Sequence, residues 1–360
     1  MRPPSREHLR KLAGPAAVLL AGAALTATAR ALRRRPPIQL RDRVAVITGG
    51  SRGLGLLMAR ELAAEGARLA ILARDPAELD LARRELAAAG GHRVLALPCD
   101  VGNEDEVRWA IDAAAERFGR LDILINNAGV IQVGPLEHMT VEDFEEAMRV
   151  HFWGPLYATL AALPHLRKQE TARIVNIASI GGRIAIPHLV PYSASKFALV
   201  GLSDGLRSEL SKERIYVTTV CPGLMRTGSH VNARFKGKRD KEFAWFAVTD
   251  SLPLTSMAGR RAARRILEAC RYGEPTLTLT PQAKAAAIAN TVTPNLVARL
   301  LELAARLLPG PNPEDGEEAR PGWQSTSRWV PSLLTRLADE AAVENNELRG
   351  AAVEYGGNGK

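Results

Sequence analysis

Tyr192 and Lys196 stand four residues apart in the stretch Pro191-Tyr-Ser-Ala-Ser-Lys196. On a helix, two residues at that spacing share one face. An ammonium beside a phenol favours the phenolate, so the pKa of Tyr192 is predicted to fall from its reference of about 10 toward working pH. Such a phenol can donate or accept a proton while a hydride moves. A surface pair on an ordinary helix would have the same spacing, so the prediction depends on the accompanying residues.

A glycine-rich turn, Thr48-Gly-Gly-Ser-Arg-Gly-Leu-Gly55, is the first of these. It lies between an apolar strand predicted over 44–48 and a helix predicted over 54–65. Glycines let the backbone approach a pyrophosphate, and the helix N-terminus favours negative charge. The glycine spacing differs from the common G-x-G-x-x-G fingerprint. Its place between strand and helix nevertheless favours a dinucleotide site.

The residues after the second and third predicted strands bear on which dinucleotide is bound. Arg74 follows the strand 68–73 and, with Arg52 of the glycine turn, could pair with a 2′-phosphate, which favours NADP(H). Asp75 could instead accept from a ribose 2′-hydroxyl, which keeps NAD(H) open. Asp100 closes the third strand, where it could accept from the adenine amine or serve as an N-cap-like loop residue.

Short apolar strands alternate with amphipathic helices from residue 43 to about residue 280. This alternation predicts an α/β fold with a parallel, doubly wound sheet, and continuous apolar strands are typical of a sheet covered on both faces. The longest predicted helices cover about 141–166 and 193–212. The predicted strands are 44–48, 68–73, 94–97, 123–125, 173–177, 215–220 and 276–279.

The net charge of +9 is concentrated in an N-terminal arm. Residues 1–43 carry ten Lys and Arg residues and two acidic residues, a net of +8, so the other residues together carry +1. The body is nearly neutral, so the high pI does not argue for a nucleic-acid partner. A basic arm suits an anionic lipid surface. Three scattered cysteines without metal-ligand spacing favour a reducing compartment and no metal site.

An uncharged stretch from Leu12 to Ala29 lies between the basic residues of this arm. Its length is close to the roughly 20 residues that a membrane span needs, although its many alanines make it only modestly apolar. We therefore expect a cytoplasmic catalytic domain that the N-terminus anchors in a membrane or at its interface. A signal peptide cleaved near Ala27-Thr-Ala29 and a soluble Ala-rich helix are the alternatives.

Together these features closely resemble the classical short-chain dehydrogenase/reductase family. The matching pieces occur in the family's order and spacing over about residues 42–280. The resemblance implies a Rossmann-type fold and an NAD(P)-dependent oxidoreductase that moves a hydride between nicotinamide and a secondary alcohol or ketone. The pieces are Thr48-Gly-x3-Gly-x-Gly55, Asp100, Asn126-Asn-Ala-Gly129, Ser179, Tyr192-x3-Lys196 and Pro222-Gly223.

The resemblance also implies roles for the matching positions. Tyr192 would be the general acid in carbonyl reduction and the base in alcohol oxidation. Lys196 would hold the nicotinamide ribose hydroxyls and lower the pKa of Tyr192, and Ser179 would hydrogen-bond the substrate oxygen as in an oxyanion hole. The cofactor would be held by Thr48, Gly49, Ser51, Arg52, Gly53, Leu54, Gly55, Arg74, Asp100, Val101, Asn127, Ala128, Gly129, Tyr192, Lys196, Pro222, Gly223 and Thr227.

One catalytic position departs from the family pattern. The family usually has an asparagine on the helix after the fourth strand, where this chain has His151. The backbone carbonyl of that asparagine holds a water in the family's proton relay to the lysine, so a relay could survive the change. Imidazole could also carry protons itself, since its reference pKa is near 6.5. A packed helix histidine without a catalytic role is the alternative.

Three segments are expected along the chain: an arm over 1–41, the catalytic domain over 42–281, and a helical extension with a flexible tail over 282–360. Residues 224–257 fall where the family carries its substrate lid. The aromatic residues of this stretch could face a hydrophobic or lipid-like substrate, or could merely pack the lid onto the sheet. They are Phe235, Phe243, Trp245 and Phe246.

Beyond the catalytic domain, Leu296–Leu308 reads as a strongly apolar helix. Core packing is the commonest explanation for such a stripe, and a partner interface or a membrane surface are the alternatives. The two long helices of the catalytic domain correspond to the family's usual dimer interface, so a homodimer or homotetramer is expected by analogy.

The leading functional hypothesis is an NADP(H)-dependent oxidoreductase acting on a hydrophobic carbonyl or alcohol. Sugar-nucleotide epimerases share the fold, but they usually show a different glycine spacing and a longer substrate domain. A non-catalytic nucleotide sensor or scaffold is a third hypothesis. Such proteins often lose the tyrosine or the lysine, whereas this chain keeps both.

Overall fold

The computed structural model describes residues 37–89, 93–253, 255–312, 316–327 and 330–348. The chain divides into two units, Met1–Ile38 and Gln39–Lys360, and the second is described below. The predicted anchor over residues 12–29 lies outside the described residues, so it stays a prediction. Among the helices that are described, none combines the length and the apolar character that a membrane crossing needs.

Seven of the strands form one parallel sheet in the order β11-β7-β6-β4-β1-β2-β3. The predicted α/β class with a doubly wound parallel sheet is therefore confirmed. In chain order the strands are β1 (Val44–Thr48), β2 (Arg68–Ala73), β3 (Val94–Pro98), β4 (Ile123–Asn126), β5 (Gln132–Val133), β6 (Ala172–Ile177), β7 (Ile215–Cys221), β8 (Leu224–Arg226), β9 (Arg234–Phe235), β10 (Ser256–Ala258), β11 (Thr276–Thr278) and β12 (Arg320–Pro321).

Helices cover this sheet and extend beyond it. Helix α3 shows why they form where they do: Asn103 caps its N-terminus through two backbone N–H groups, and Gly119 ends it in a left-handed conformation. In chain order the helices are α1 (Gly53–Ala64), α2 (Pro76–Ala88), α3 (Glu104–Phe118), α4 (Val141–Met148), α5 (Gly154–Leu166), α6 (Val190–Leu210), α7 (Arg239–Ser251), α8 (Gly259–Tyr272), α9 (Pro281–Val292), α10 (Pro294–Ala305) and α11 (Arg336–Glu344).

The strand order reverses between β1 and β4, and this reversal positions the site. Strand β1 pairs in parallel with both β2 and β4, so Val46 lies opposite Ala70 on one side and Leu124 on the other. All five residues of β1 are buried, as expected for a strand covered on both faces. In such sheets, ligands bind outside the carboxyl ends of the strands at the point of reversal.

The single helix predicted over 141–166 is interrupted by a π-helical segment, Arg149–Trp153. A physical reason lies one turn further on, because Pro155 has no N–H with which to make the α-helical bond to the His151 carbonyl. Wide turns of this kind are frequently found at functional sites. The turn carries His151 and separates α4 from α5.

The C-terminal extension differs from expectation in two ways. The core-packing explanation for the helix near 296–308 is wrong, because α10 has no buried residue and Leu307 is 82% exposed. This helix follows α9 as a hairpin and packs on that neighbour instead of on the sheet. The end of the extension, by contrast, is docked on the catalytic domain, where Ala338, Ala342 and Leu348 are buried.

Candidate active site

A cleft of about 820 Å³ opens at the carboxyl ends of the parallel strands. The segments that follow β1, β2, β3, β4, β6 and β7 all contribute to its walls. Its position is the crevice that the reversal of strand order between β1 and β4 predicts, and its volume lies in the usual range for small-molecule sites.

Most of the site residues predicted from the sequence line this one cleft. Thr48 and Gly55 belong to the glycine turn but do not line the cleft. The predicted residues in the lining are Gly49, Ser51, Arg52, Gly53, Leu54, Arg74, Asp100, Val101, Asn127, Ala128, Gly129, His151, Ser179, Tyr192, Lys196, Pro222, Gly223 and Thr227.

The glycine turn depends on backbone conformations and contacts that side chains would prevent. Gly49 and Gly53 have φ angles of +64° and +55°, in the left-handed region that favours glycine. At Gly55, an added Cβ would overlap the carbonyl oxygen of Gly49 and lie 2.7 Å from the Asn127 Nδ2. Because these positions lack side chains, a phosphate can approach the backbone at the N-terminus of α1, as a phosphate cradle requires.

The segment after β4 braces this turn through Thr48. The Thr48 Oγ1 accepts from the backbone N–H groups of Asn127 at 3.0 Å and Ala128 at 3.1 Å. In return, the Asn127 Nδ2 donates to the carbonyl oxygens of Thr48 at 3.1 Å and Gly49 at 3.0 Å. Thr48 and Asn127 therefore hold the turn in place through hydrogen bonds within the protein.

Ser179, Tyr192 and Lys196 meet at the other end of the cleft. Ser179 follows β6 and is hydrogen-bonded to Tyr192. Tyr192 and Lys196 lie one turn apart on α6, and the lysine Nζ is 5.6 Å from the centre of the tyrosine ring. The same Nζ donates to the carbonyl oxygen of Ile177 at 2.9 Å. A carbonyl or hydroxyl group that reaches this end would meet two hydroxyls and the lysine amino group.

Burial governs the protonation states of Tyr192 and Lys196. It raises the pKa of Tyr192 above 10, while the hydrogen bond to Ser179 acts in the opposite direction. Burial also lowers the pKa of Lys196 to about 7. The prediction that Lys196 depresses the pKa of Tyr192 is therefore wrong for the chain by itself, because desolvation is the largest influence on the phenol and Lys196 is not among the groups that lower its pKa. The phenol is protonated at neutral pH and can act as an acid.

The low pKa of Lys196 has a consequence for stability. Between about pH 7 and pH 10 the unfolded lysine is protonated and the folded one is not, so the unfolded state binds more protons and stability rises with pH. We expect the unfolding free energy of the wild type to rise by about 1 kcal/mol per pH unit relative to Lys196→Met from pH 7 to 9. Urea unfolding of both proteins at pH 6, 7, 8 and 9 measures this. Parallel curves for the two proteins would contradict the buried, discharged lysine.

His151 is held by two hydrogen bonds that assign its tautomer. The backbone N–H of Val130 donates to its Nε2 at 3.1 Å, and its Nδ1 lies 2.8 Å from the Ser195 Oγ. Because the Ser195 hydroxyl donates to the Tyr192 carbonyl oxygen at 2.8 Å, the proton of the imidazole must be on Nδ1. Burial and the charge of Lys196 hold the pKa of His151 well below 6.5. The ring is neutral and both of its nitrogens are engaged.

The same ring also packs edge-on against Tyr192, with the two ring centres 5.4 Å apart. A proton could reach Nε2 only if the bond from the Val130 N–H were broken. This geometry favours the interpretation of His151 as a packed histidine over that of a proton carrier.

At the far end of the cleft, the charged residues are arranged differently from the sequence prediction. Arg52 is paired with Glu78, Nη1 to Oε1 at 2.8 Å, and the Ser51 hydroxyl donates to the same carboxylate at 3.0 Å. Asp75 caps α2, accepting from the Ala77 N–H at 2.7 Å. Within the described part of the chain, Arg74 is exposed and makes no ion pair. Unlike Arg52, Arg74 can therefore pair with an anionic ligand without first leaving an acidic partner.

Asp100 lines the cleft and also makes a local loop contact, since its Oδ1 accepts from the backbone N–H of Gly102 at 2.9 Å. Its contact with an adenine amine stays a prediction. The second carboxylate oxygen has no hydrogen bond to the described residues, so it is available to a donor in the cleft.

Two acidic residues that line the cleft were not predicted from the sequence. Glu78 stands in the first turn of α2, and its distance of four residues from Arg74 could have drawn attention to it. Glu347 lies in the C-terminal extension, nearly 300 residues from the glycine turn, and it also lines the cleft. No motif or spacing in the sequence connects Glu347 with the turn.

The lid aromatics pack among themselves. Phe235, Phe243 and Phe246 are buried, and Phe235 meets the other two edge-to-face with ring centres 5.2 and 5.9 Å apart. The Trp245 Nε1 donates to the Glu242 carboxylate at 2.7 Å. None of these rings lines the cleft, which the lid stretch borders through Met225, Thr227 and Ser229. A packing role is therefore favoured over contact with a substrate, and the rings pack on one another where the sequence predicted packing onto the sheet.

Comparison with known proteins gives a consistent result. The family model described as short chain dehydrogenase matches residues 43–236. The protein named Uncharacterized oxidoreductase YxnA, from Bacillus subtilis (strain 168), is 33% identical over 73% of this chain and 72% of its own length. The protein named 11-beta-hydroxysteroid dehydrogenase-like 2, from Arabidopsis thaliana, is 34% identical over 72% of this chain and 80% of its own.

Solved structures agree with these sequence matches. The crystal structure of a short chain dehydrogenase/reductase from Burkholderia phymatum in complex with NAD has a TM-score of 0.65 and 26% sequence identity. The similarity covers 72% of this chain and 96% of that one.

Proposed function

This chain belongs to the short-chain dehydrogenase/reductase family, and on that premise we propose that it is an NADP(H)-dependent oxidoreductase that interconverts an apolar ketone and a secondary alcohol. The observation that carries the proposal is the meeting of Ser179, Tyr192 and Lys196 in the cleft that also contains the glycine turn. A nucleotide sensor would not need this trio beside that turn, and the glycine spacing argues against a sugar-nucleotide epimerase of the same fold.

The cleft residues fit a nicotinamide dinucleotide. The glycine turn, which a single Cβ at Gly55 would obstruct, offers backbone and a helix N-terminus to the phosphates. Arg74 and Arg52 would hold a 2′-phosphate, Asp100 the adenine, and Lys196 the nicotinamide ribose. When bound, the nicotinamide supplies or accepts the hydride.

The catalytic residues would handle the proton. In reduction, the neutral phenol of Tyr192 would donate to the substrate oxygen, and its raised pKa keeps it protonated for that step. Ser179 would hydrogen-bond the same oxygen and stabilise its developing charge. Lys196, with a pKa of about 7, could exchange a proton with the tyrosine at neutral pH. His151 would act as a positioning residue, since its ring packs against Tyr192 and is bonded to Ser195.

The walls of the cleft support an apolar substrate. Val130, Ile131 and Met225 are among its lining residues, and apolar walls with a few polar groups are typical of sites for small organic ligands. The relative named after hydroxysteroid dehydrogenase points to ketones or alcohols on a carbon skeleton. A panel of cyclic, steroid-like and acyl ketones with NADPH tests the activity. Tight dinucleotide binding without turnover of any member would favour the sensor instead.

The choice of NADP(H) depends on Arg74. We expect Arg74→Ala to weaken NADPH binding roughly tenfold or more and to change NADH binding less than about threefold, because one charge-assisted contact to a phosphate is lost. Fluorescence titration with each dinucleotide measures both constants. Arg84→Ala is the matched control, since Arg84 is an exposed arginine on α2 that pairs with Asp80 outside the cleft. Equal losses for the two dinucleotides would contradict the role of Arg74.

We also propose that the protein forms a homodimer or homotetramer through α5 and α6. Leu160 on α5, Phe197 on α6 and Trp153 immediately before α5 are each about half exposed although they are large and apolar. Exposed apolar groups of this size are typical of interaction surfaces. A monomer in sedimentation velocity would contradict this proposal.

A further inference from the structure

The last described part of the chain lies on the glycine turn. We call residues 336–348, which comprise α11 and the turn after it, the C-terminal strap. Its Asn345 carbonyl oxygen accepts from the backbone N–H of Gly53 at 2.9 Å. That N–H belongs to the first residue of α1, where four such donors lack a partner within the helix. The strap therefore takes a donor that the turn offers to an anion.

Glu347 brings a carboxylate to the same place. It is buried, with 7% of its surface exposed, and it lines the cleft. Its Oε2 lies 3.3 Å from the Arg52 Nε and accepts from the Asn232 Nδ2 at 2.6 Å. A Cβ placed on Gly53 would lie 2.5 Å from its Oε1, so the carboxylate is seated directly against the turn. An acid here has the partners that a phosphate would have: a helix N-terminus, an arginine and an amide.

The strap is specifically seated and does not lie loosely on the surface. The Arg60 Nη1 donates to the Asn345 Oδ1 at 2.9 Å, and the Asn345 Nδ2 donates to the Thr227 carbonyl oxygen at 3.3 Å. Three residues before Asn345, the strap packs through Ala342 against Gly228. The φ of +90° and the missing side chain of Gly228 make room for Ala342. The strap thus joins α1 to the stretch that follows β8.

We propose that the C-terminal strap competes with the dinucleotide for the glycine turn, and that Glu347 sets the affinity of the turn for the cofactor's phosphates. The inference rests on the proposed function, in which this turn binds a dinucleotide. Two anions cannot share one helix N-terminus and one guanidinium without strong repulsion. Dinucleotide binding must therefore exchange the contacts of Glu347 for those of a phosphate and lift the strap from Gly53.

The first test compares Glu347→Gln with the wild type. The amide keeps the shape of the side chain but removes its charge, so the strap should compete less well. We expect NADPH to bind roughly five- to tenfold more tightly to Glu347→Gln, measured by fluorescence titration. Because burial raises the pKa of Glu347, the titration is run at pH 8, on the alkaline side that favours the ionised carboxylate. Glu340→Gln removes an exposed carboxylate of the same strap, which within the described part of the chain pairs with Arg336 alone, and this variant should bind NADPH as the wild type does.

The second test uses the wild type alone. Hydrogen exchange of the amides in residues 336–348 should accelerate when NADPH is added, because the strap is released. Unchanged affinity in Glu347→Gln would overturn the proposal. Weaker affinity, or slower exchange in the strap, would also overturn it and would indicate a clamp that closes on the cofactor. If the wild type and both variants bind no dinucleotide, the proposed function fails together with the inference, whereas equal binding by all three overturns the inference alone.

Discussion

Replacing Tyr192 with phenylalanine is expected to slow NADPH-dependent ketone reduction about 10³-fold, while the affinity for NADPH stays within about threefold of the wild type. The change removes one hydroxyl, and with it the proton that the substrate oxygen would receive. The ring remains, so its edge-on contact with His151 and the position of α6 are preserved. Turnover under saturating NADPH and a fluorescence titration of NADPH measure the two quantities.

Tyr157→Phe is the matched control for this variant. Tyr157 lies on α5, stacked on Trp153 with ring centres 5.9 Å apart, and it does not line the cleft. Removal of its hydroxyl should leave turnover within about twofold of the wild type. A Tyr192→Phe enzyme that keeps more than a tenth of the wild-type rate would show that another group delivers the proton.

Gly55→Ala is expected to abolish measurable dinucleotide binding and to lower the melting temperature by roughly 5 to 10 °C. The added Cβ would overlap the Gly49 carbonyl oxygen, which is backbone and cannot turn away. Either α1 or the turn must then shift, which costs about 1–3 kcal/mol or more and displaces the Asn127 side chain that braces the turn. Calorimetry for stability and fluorescence titration with NADPH provide the two measurements.

Gly310→Ala separates this effect from the general cost of replacing a glycine. Among the described residues, only the Lys238 Nζ would lie near its added Cβ, at 4.0 Å. This variant should bind NADPH and melt as the wild type does. If Gly55→Ala bound NADPH with wild-type affinity, the turn would not be the phosphate cradle.

The strands and most helices could be predicted from the sequence because local signals determine them. The predicted bounds of β1 and β2 match those of the structure. In both strands an apolar run ends where the chain changes direction. The family resemblance, carried by the glycine turn and by Tyr192 and Lys196, is likewise confirmed by the family model that matches residues 43–236.

Predictions that depended on the surroundings of a side chain were less secure. The pKa of Tyr192 was expected to fall because the spacing to Lys196 is visible in the sequence, whereas the burial that raises it is not. The lid aromatics could be found from the sequence, but not the direction in which Phe243 and its neighbours point. His151 was identified as a departure from the family's usual asparagine. Its role depends on its hydrogen-bond partners Val130 and Ser195, which only the fold brings close to it.

The C-terminal strap illustrates a limit of a different kind. Glu347 meets Arg52 across 295 residues of sequence, and neither residue type nor spacing marks the pair. Such long-range contacts arise from the path of the whole chain over the catalytic domain. In the proposal above, Glu347 is an acidic competitor at a site whose other residues follow a pattern that is recognisable in the sequence.

The central claim is that one cleft holds a nicotinamide beside the Ser179, Tyr192 and Lys196 side chains. A crystal structure of the protein with NADP⁺ tests it most directly. We expect the phosphates at the glycine turn, the 2′-phosphate at Arg74, and the nicotinamide ring facing the Tyr192 hydroxyl, with the strap displaced from Gly53. A complex in which the nicotinamide lies outside this cleft, or in which the Tyr192 hydroxyl points away from the ring, would contradict the account.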